Sequence, residues 1–155
     1  MPVTFNRLIL VASLASIATP TSLHSQKRTA SDSVRAVAEG IVAADNVRDI
    51  ERVMSFYADD AVLMPPNDSP VSGHSAIRPR YEALFASTQP AIMTALDEVR
   101  VAGEWAFVRG KNTGSMRPLS GGDGRALDDV FVMVLQRNRQ GQWKIARLIW
   151  HRASP

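Results

Sequence analysis

Tyr57-Ala-Asp-Asp-Ala-Val-Leu-Met-Pro-Pro66, followed by Val71-Ser-Gly-His-Ser-Ala-Ile77 and Tyr81-Glu-Ala-Leu-Phe85, is the stretch that decides the fold. A helix with the apolar stripe Ile50, Val53, Met54 and Tyr57 ends in an aromatic, and Asp59-Asp60 are read as its stop, because Asp at a helix end satisfies backbone donors. Ala61 to Met64 is short, apolar and β-prone. Pro65-Pro-Asn-Asp-Ser-Pro70 must be a surface loop, since no ladder accommodates so many missing or awkward donors. Val71-Ser72-Gly73 brings the chain back, and a further helix restarts at Ala76-Ile77 with Ile77, Tyr81, Leu84 and Phe85 on its inner side. Pro79 is placed near its first turn, where proline costs least.

Upstream, Val34, Val37, Ala38, Ile41 and Val42 recur at helical spacing, with Ser31, Asp32 or Ser33 as the N-cap. This first helix should end near Asp45-Asn46, and Asp49 can cap the next one. Downstream the chain reads as a meander. Strands over 94–101 and 105–113 flank the turn Ala102-Gly103-Glu104, and strands over 127–137 and 143–151 form the last hairpin. Between these pairs, Ser120-Gly-Gly-Asp-Gly124 has no helix after it and no Gly-Lys-Ser ending, so it is a flexible connection and not a phosphate cradle. Phe131, Met133 and Leu135 alternate with Val130, Val132 and Val134, so both faces of the sheet must be covered. Helices cover one face. A second copy of the chain is the economical cover for the other, which predicts a homodimer.

The order of helix, double acid, strand, proline loop, helix and meander resembles the nuclear transport factor 2-like superfamily, and within it the SnoaL-like and ketosteroid-isomerase-like domains of bacteria. The resemblance covers roughly Ser33 to His151. It implies an α+β fold, a cone-shaped single domain with three N-terminal helices packed on a curved, mostly antiparallel β-sheet. That fold hosts isomerases, cyclases and dehydratases as well as binding and assembly domains. The position matching the ketosteroid isomerases' general-base Asp holds Pro65, and that of their oxyanion-stabilising Tyr holds Ile41. Only their third acid has counterparts, in Asp128 or Asp129, and the acid of many SnoaL-like relatives on the last strand is replaced by Leu148. The family's usual Gly before the second helix cap is Arg48.

Candidate chemistry gathers on the last hairpin. With an even loop Asp128 opposes His151, and with an odd loop Asp129 does, so a carboxylate can orient an imidazole for general acid–base work. Asp128, Asp129 and His151 are therefore the candidate catalytic residues. A bent sheet under three helices leaves an apolar hollow, for which Tyr57, Met64, Trp105, Arg109, Phe131 and Trp150 are the candidate lining. The histidines His24, His74 and His151 are dispersed, with no paired spacing and no cysteine, so neither a metal site nor any cofactor is expected.

The 155 residues, 45% hydrophobic and 21% charged, suit one domain. Met1 to Arg7 carries one positive charge, and Leu8 to Ala18 is an unbroken run of apolar and small residues. Residues 1–25 are thus read as a secretory signal peptide, 26–32 as a flexible lead-in and 33–152 as the domain, exported to the periplasm or secreted. The formal charge of +3 falls by one with Arg7. Its later basic residues are scattered, so no nucleic-acid partner is expected. No membrane partner is expected of the mature form either. The reading is an exported domain that binds a small hydrophobic or amphipathic ligand. The alternatives are an isomerase, dehydratase or cyclase acting through the Asp–His pair on a polyketide- or steroid-like substrate, and an accessory or assembly domain without a ligand.

Overall fold

The computed structural model describes residues 29–153. The leader over 1–25 and the start of the lead-in lie outside these residues. Helix α1 (Ala30–Asn46) begins earlier than the sequence suggests, because Thr29 caps it. The Thr29 hydroxyl accepts from the Asp32 amide at 3.0 Å, and the Thr29 amide donates to the Asp32 carboxylate at 3.1 Å, satisfying two end donors reciprocally. So 29–32 is helix start and not flexible lead-in. The buried stripe Val34, Ala38, Ile41 and Val42 lies against the sheet.

Helix α2 (Ile50–Phe56) is capped by Asp49, whose carboxylate accepts from the Arg52 amide at 3.0 Å. Arg48 precedes this cap in the left-handed region, with φ 55°. That conformation disfavours a side chain by roughly 1–2 kcal/mol. The Arg48 guanidinium is anchored by donating to Phe85 O at 3.2 Å. Asp59 and Asp60 do not terminate this helix. The chain turns directly into strand β1 (Tyr57–Met64), which carries both acids as exposed residues. After the proline loop comes β2 (Val71–Ser72), and Gly73, at φ 80°, leads into helix α3 (His74–Ser87). Pro79 sits one turn deeper in this helix than expected, on its exposed side.

The meander strands are longer than their apolar runs: β3 (Thr88–Ala102), β4 (Trp105–Pro118), β5 (Arg125–Arg137) and β6 (Trp143–Arg152). Together they form one sheet in the order β2-β1-β6-β5-β4-β3, antiparallel except where β1 runs parallel to β6. Three helices on this curved sheet give the α+β cone. Two glycines let β3 and β4 bend tightly. A methyl at Gly110 would strike Ala95 O and the Phe131 ring, and one at Gly114 would strike Ala91 O.

The β5–β6 register corrects both readings of the last hairpin. Near the turn the odd register holds, with Arg137 opposite Trp143 and Leu135 opposite Ile145. Ala146 is then an extra residue, a β-bulge, so Val134 faces Arg147 and the register moves by one. Asp129 consequently opposes Arg152, and His151 opposes Val130. Arg147 holds the bulge by donating to Ala146 O at 2.7 Å and to Asp60 O at 3.3 Å.

Candidate functional site

Directly opposed residues of an antiparallel pair share a face. The buried residues Phe131, Met133 and Leu135 mark the inner face of β5, and with them go Asp129, Trp150 and Leu148. One polar row crosses this face: Thr94, Asn112, Asp129 and Arg152 pair in sequence from β3 to β6. Beside it runs the row Gly110, Phe131 and Trp150.

Between this face and the helices lies a cavity of about 320 Å³. Its walls are mainly apolar, with Ile41 and Val42 from α1, Leu84 from α3, and Phe131, Leu148 and Trp150 from the sheet. Six polar side chains also reach it: Asp45, Arg80, Tyr81, Asn112, Arg125 and Asp129.

Asp45 sits on the last turn of α1. The turn is fixed by the next residue, Asn46, which donates to Ile92 O at 2.8 Å and accepts from the Ile92 amide at 2.7 Å. That clamp holds Asp45 over the β3–β4 segment that bears Asn112. Oδ1 of Asp45 is enclosed and has no hydrogen-bond partner among the described residues, and the same is true of Oδ1 of Asn112. Burial pushes the Asp45 carboxyl up to about 7, because the charged form loses its hydration with no cation to replace it. Burial also raises Asp129, opposed by the nearby Arg125 and Arg152. The Tyr81 and Tyr57 hydroxyls are 2.8 Å apart. Burial raises both phenols, and the charge of Asp45 adds to the effect, so both stay protonated at any ordinary pH. The cavity therefore holds one carboxyl poised to exchange a proton near neutrality and a phenol able to donate a hydrogen bond.

Of the residues named from sequence, Asp129, Phe131 and Trp150 line this cavity. Tyr57 is buried behind it and reaches it only through Tyr81. Met64 is half-buried beside Ile149 on the outer face of the sheet. Trp105 lies 46% exposed at the start of β4, and Arg109 is ion-paired on the outer face with Asp97 at 3.0 Å and Glu98 at 3.8 Å. Asp128 and His151 are both exposed and outside the cavity, and His151 Nδ1 lies 2.7 Å from Arg152 O. Among the described residues no ion pair joins His151 to either aspartate. The bulge places Asp129 and His151 on opposite faces. Among the described residues no cluster of His, Asp or Glu has metal-binding geometry, and no helix is long and apolar enough to cross a membrane.

Asp45 and Asn112 escaped sequence reading. For Asp45 a signal existed: it falls four residues after Ile41, on the stripe of Val34, Ala38 and Ile41. A carboxylate at that spacing on an apolar helix face is a buried carboxylate.

The family model of the SnoaL-like domain matches residues 35–147. The chain belongs to the SnoaL-like domain family. Solved structures of NTF2-like proteins share its fold. It is similar to a ketosteroid isomerase-like protein from Erwinia carotovora atroseptica, at 26% identity and a TM-score of 0.75, covering 81% of this chain and 97% of that one. It is also similar in fold to a candidate dehydratase of the NTF2-like family from Streptomyces avermitilis, at 20% identity and a TM-score of 0.67, covering 81% and 96%. An NTF2-like protein of unknown function from Pseudomonas putida shares the fold at 22% identity and a TM-score of 0.64, covering 78% and 84%. No curated protein matches the SnoaL-like domain described here.

Proposed function

We propose that this SnoaL-like domain binds a small amphipathic molecule in its cone cavity, apolar body against Phe131, Leu148 and Trp150, polar head toward Asp45. The observation that carries the reading is the enclosed Oδ1 of Asp45, which has no hydrogen-bond partner among the described residues although it lines an apolar wall. A buried polar group left unmatched costs about 1–3 kcal/mol, and a ligand that matches it recovers that cost. This favours a ligand site over an assembly domain whose hollow is filled by its own side chains. Mass spectrometry of small molecules released from native protein tests it. A bound species retained by wild type and lost from a Phe131→Trp variant supports the reading, and wild type free of any ligand and unable to take up apolar probes overturns it.

A second reading, proton transfer on the bound molecule, is favoured by the Asp45 carboxyl at about 7 beside Tyr81. Asp45 would move the proton while the Tyr81 hydroxyl stabilises developing negative charge on oxygen. Such chemistry suits the isomerase- and dehydratase-like descriptions of the relatives. It replaces the Asp–His pair with a different acid on a different element.

Export and homodimerisation complete the proposal. Export rests on the apolar run Leu8 to Ala18. A mature N-terminus between Thr19 and Gln26, measured on protein from the native host, would support it, and full-length cytosolic protein would remove it. Dimerisation rests on the outer sheet face, where Val132, Ile149 and Met64 form a continuous apolar row.

A further inference from the structure

Two unpartnered acceptor atoms face one cavity, Oδ1 of Asp45 and Oδ1 of Asn112, and a second carboxyl, Asp129, is the cross-strand partner of Asn112. Among the described residues neither Oδ1 has a donor, whereas Asp129 feels the nearby Arg125 and Arg152. Of the two arginines in the lining, Arg80 is paired with Asp68 at 2.8 Å, and Arg125 offsets Asp129. The deep polar end of the cavity thus offers two unmatched acceptor oxygens and, in Asp45, a carboxyl stripped of hydration, while Arg125 and Arg152 act on Asp129. A neutral carbonyl would leave these oxygens unmatched, and a carboxylate would face Asp45 and Asp129 at close range. An ammonium has three donors and a positive charge, and it matches both deficits.

Resting on the pocket reading above, we propose that the ligand of this cavity carries a protonated amine on an apolar body, and that Asp45 and Asn112 receive it. The amine replaces the hydration that burial strips from Asp45, while Phe131 and Trp150 take the apolar body. The paired hydroxyls of Tyr81 and Tyr57 remain neutral throughout.

The sign of the pH dependence follows from the charges. A cation binds the ionised Asp45, so affinity rises with pH through about 7, and binding below that pH releases a proton. Tyr81 on α3 and Tyr57 on β1 feel the charge of Asp45; Arg80, Arg125 and Asp129 share the cavity lining with it, and Arg152 lies opposite Asp129. The phenols hold their protonation over this range, and Asp129, raised by burial, adds to the same sign wherever it titrates. His151 is on the other face of the sheet.

Three probes with one shared ring system decide the matter: 1-naphthylmethylamine, 1-naphthylmethanol and 1-naphthoate, titrated calorimetrically into full-length protein at about pH 6 and pH 8. The amine should bind at least about tenfold tighter than the alcohol at pH 8, a difference well within what one desolvated charge pair supplies. That preference should shrink by up to about tenfold per pH unit below the Asp45 midpoint, with proton release seen as a buffer-dependent enthalpy. Asp45→Asn should abolish the preference and its pH dependence, while alcohol binding by the same variant reports an intact pocket. Equal affinity of amine and alcohol at both pH values, or naphthoate binding tightest, overturns the amine assignment and leaves the pocket standing. If none of the three binds, the pocket reading falls as well.

Discussion

Asn112 on β4 and Asp129 on β5 stand directly opposite one another on the inner face of the sheet, and Asn112 Oδ1 has no hydrogen-bond partner among the described residues. Replacing an unmatched buried amide by an apolar group of similar size removes a desolvation penalty. Asn112→Leu should therefore stabilise the fold by about 1 kcal/mol while weakening ligand retention. Thermal unfolding of the two proteins without ligand checks it, and a variant that melts below wild type would show that Asn112 is matched in solution.

Asp45 predicts an unusual stability profile. Its folded-state value, about 7, is raised above the ordinary 3.8. Between those values the folded state holds the extra proton, so stability falls as pH rises, by up to about 4 kcal/mol if the whole shift is expressed. Glu51 and Asp68, pulled down by hydrogen bonds from Arg78 and Arg80, act with the opposite sign but only toward the acid end. Urea unfolding should give a higher midpoint near pH 5 than near pH 8. Asp45→Asn should flatten that difference and stabilise the protein at pH 8.

Tyr81→Phe removes the hydroxyl that meets Tyr57 at 2.8 Å and leaves the fully buried Tyr57 phenol without its partner. A loss of about 1–3 kcal/mol is expected. Tyr57→Phe with Tyr81→Phe should cost less than the two single changes added together, since no orphan remains. Additive losses in a double-mutant cycle would mean that each hydroxyl has another partner.

Val132 projects from the outer face toward Ile149, which is 44% exposed, with Met64 beyond it. A charge there should split the proposed homodimer, since Val132→Asp both removes apolar burial and adds a desolvation cost, together roughly 2 kcal/mol or more per copy. Sizing experiments at micromolar concentration should show wild-type dimer and variant monomer. Monomeric wild type would remove the dimer from the proposal.

The fold was legible because its signals are local. Helical spacing from Val34 to Val42, the Asp49 cap and the proline loop after Met64 each act over a few residues. The site was less legible because it depends on parity. Phe131, Trp150 and Asp129 fall inside, but His151 follows a bulge that alternation does not reveal, and Met64, Trp105 and Arg109 lie on the parity facing away from the helices. Asp59 and Asp60 misled for a related reason, since β1 bulges between Tyr57 and Val62 and so tolerates two consecutive acids that a regular half-buried strand would not. Asp45 was hidden by its position, because an acid near a helix end reads as punctuation until the sheet beneath it is known.

Ala146 gives the last strand two latent readings. With the extra residue left out of the ladder, Leu148, Trp150 and Arg152 point inward. Were Ala146 taken into the ladder, Arg147, Ile149 and His151 would point inward instead, and the cavity would gain an imidazole opposite Asp129 while losing its indole. One residue of slack therefore decides whether Trp150 or His151 meets the cavity, with no change in the amino-acid sequence. In this chain a shift of the bulge would exchange the Trp150 indole for the His151 imidazole at the cavity floor without any substitution.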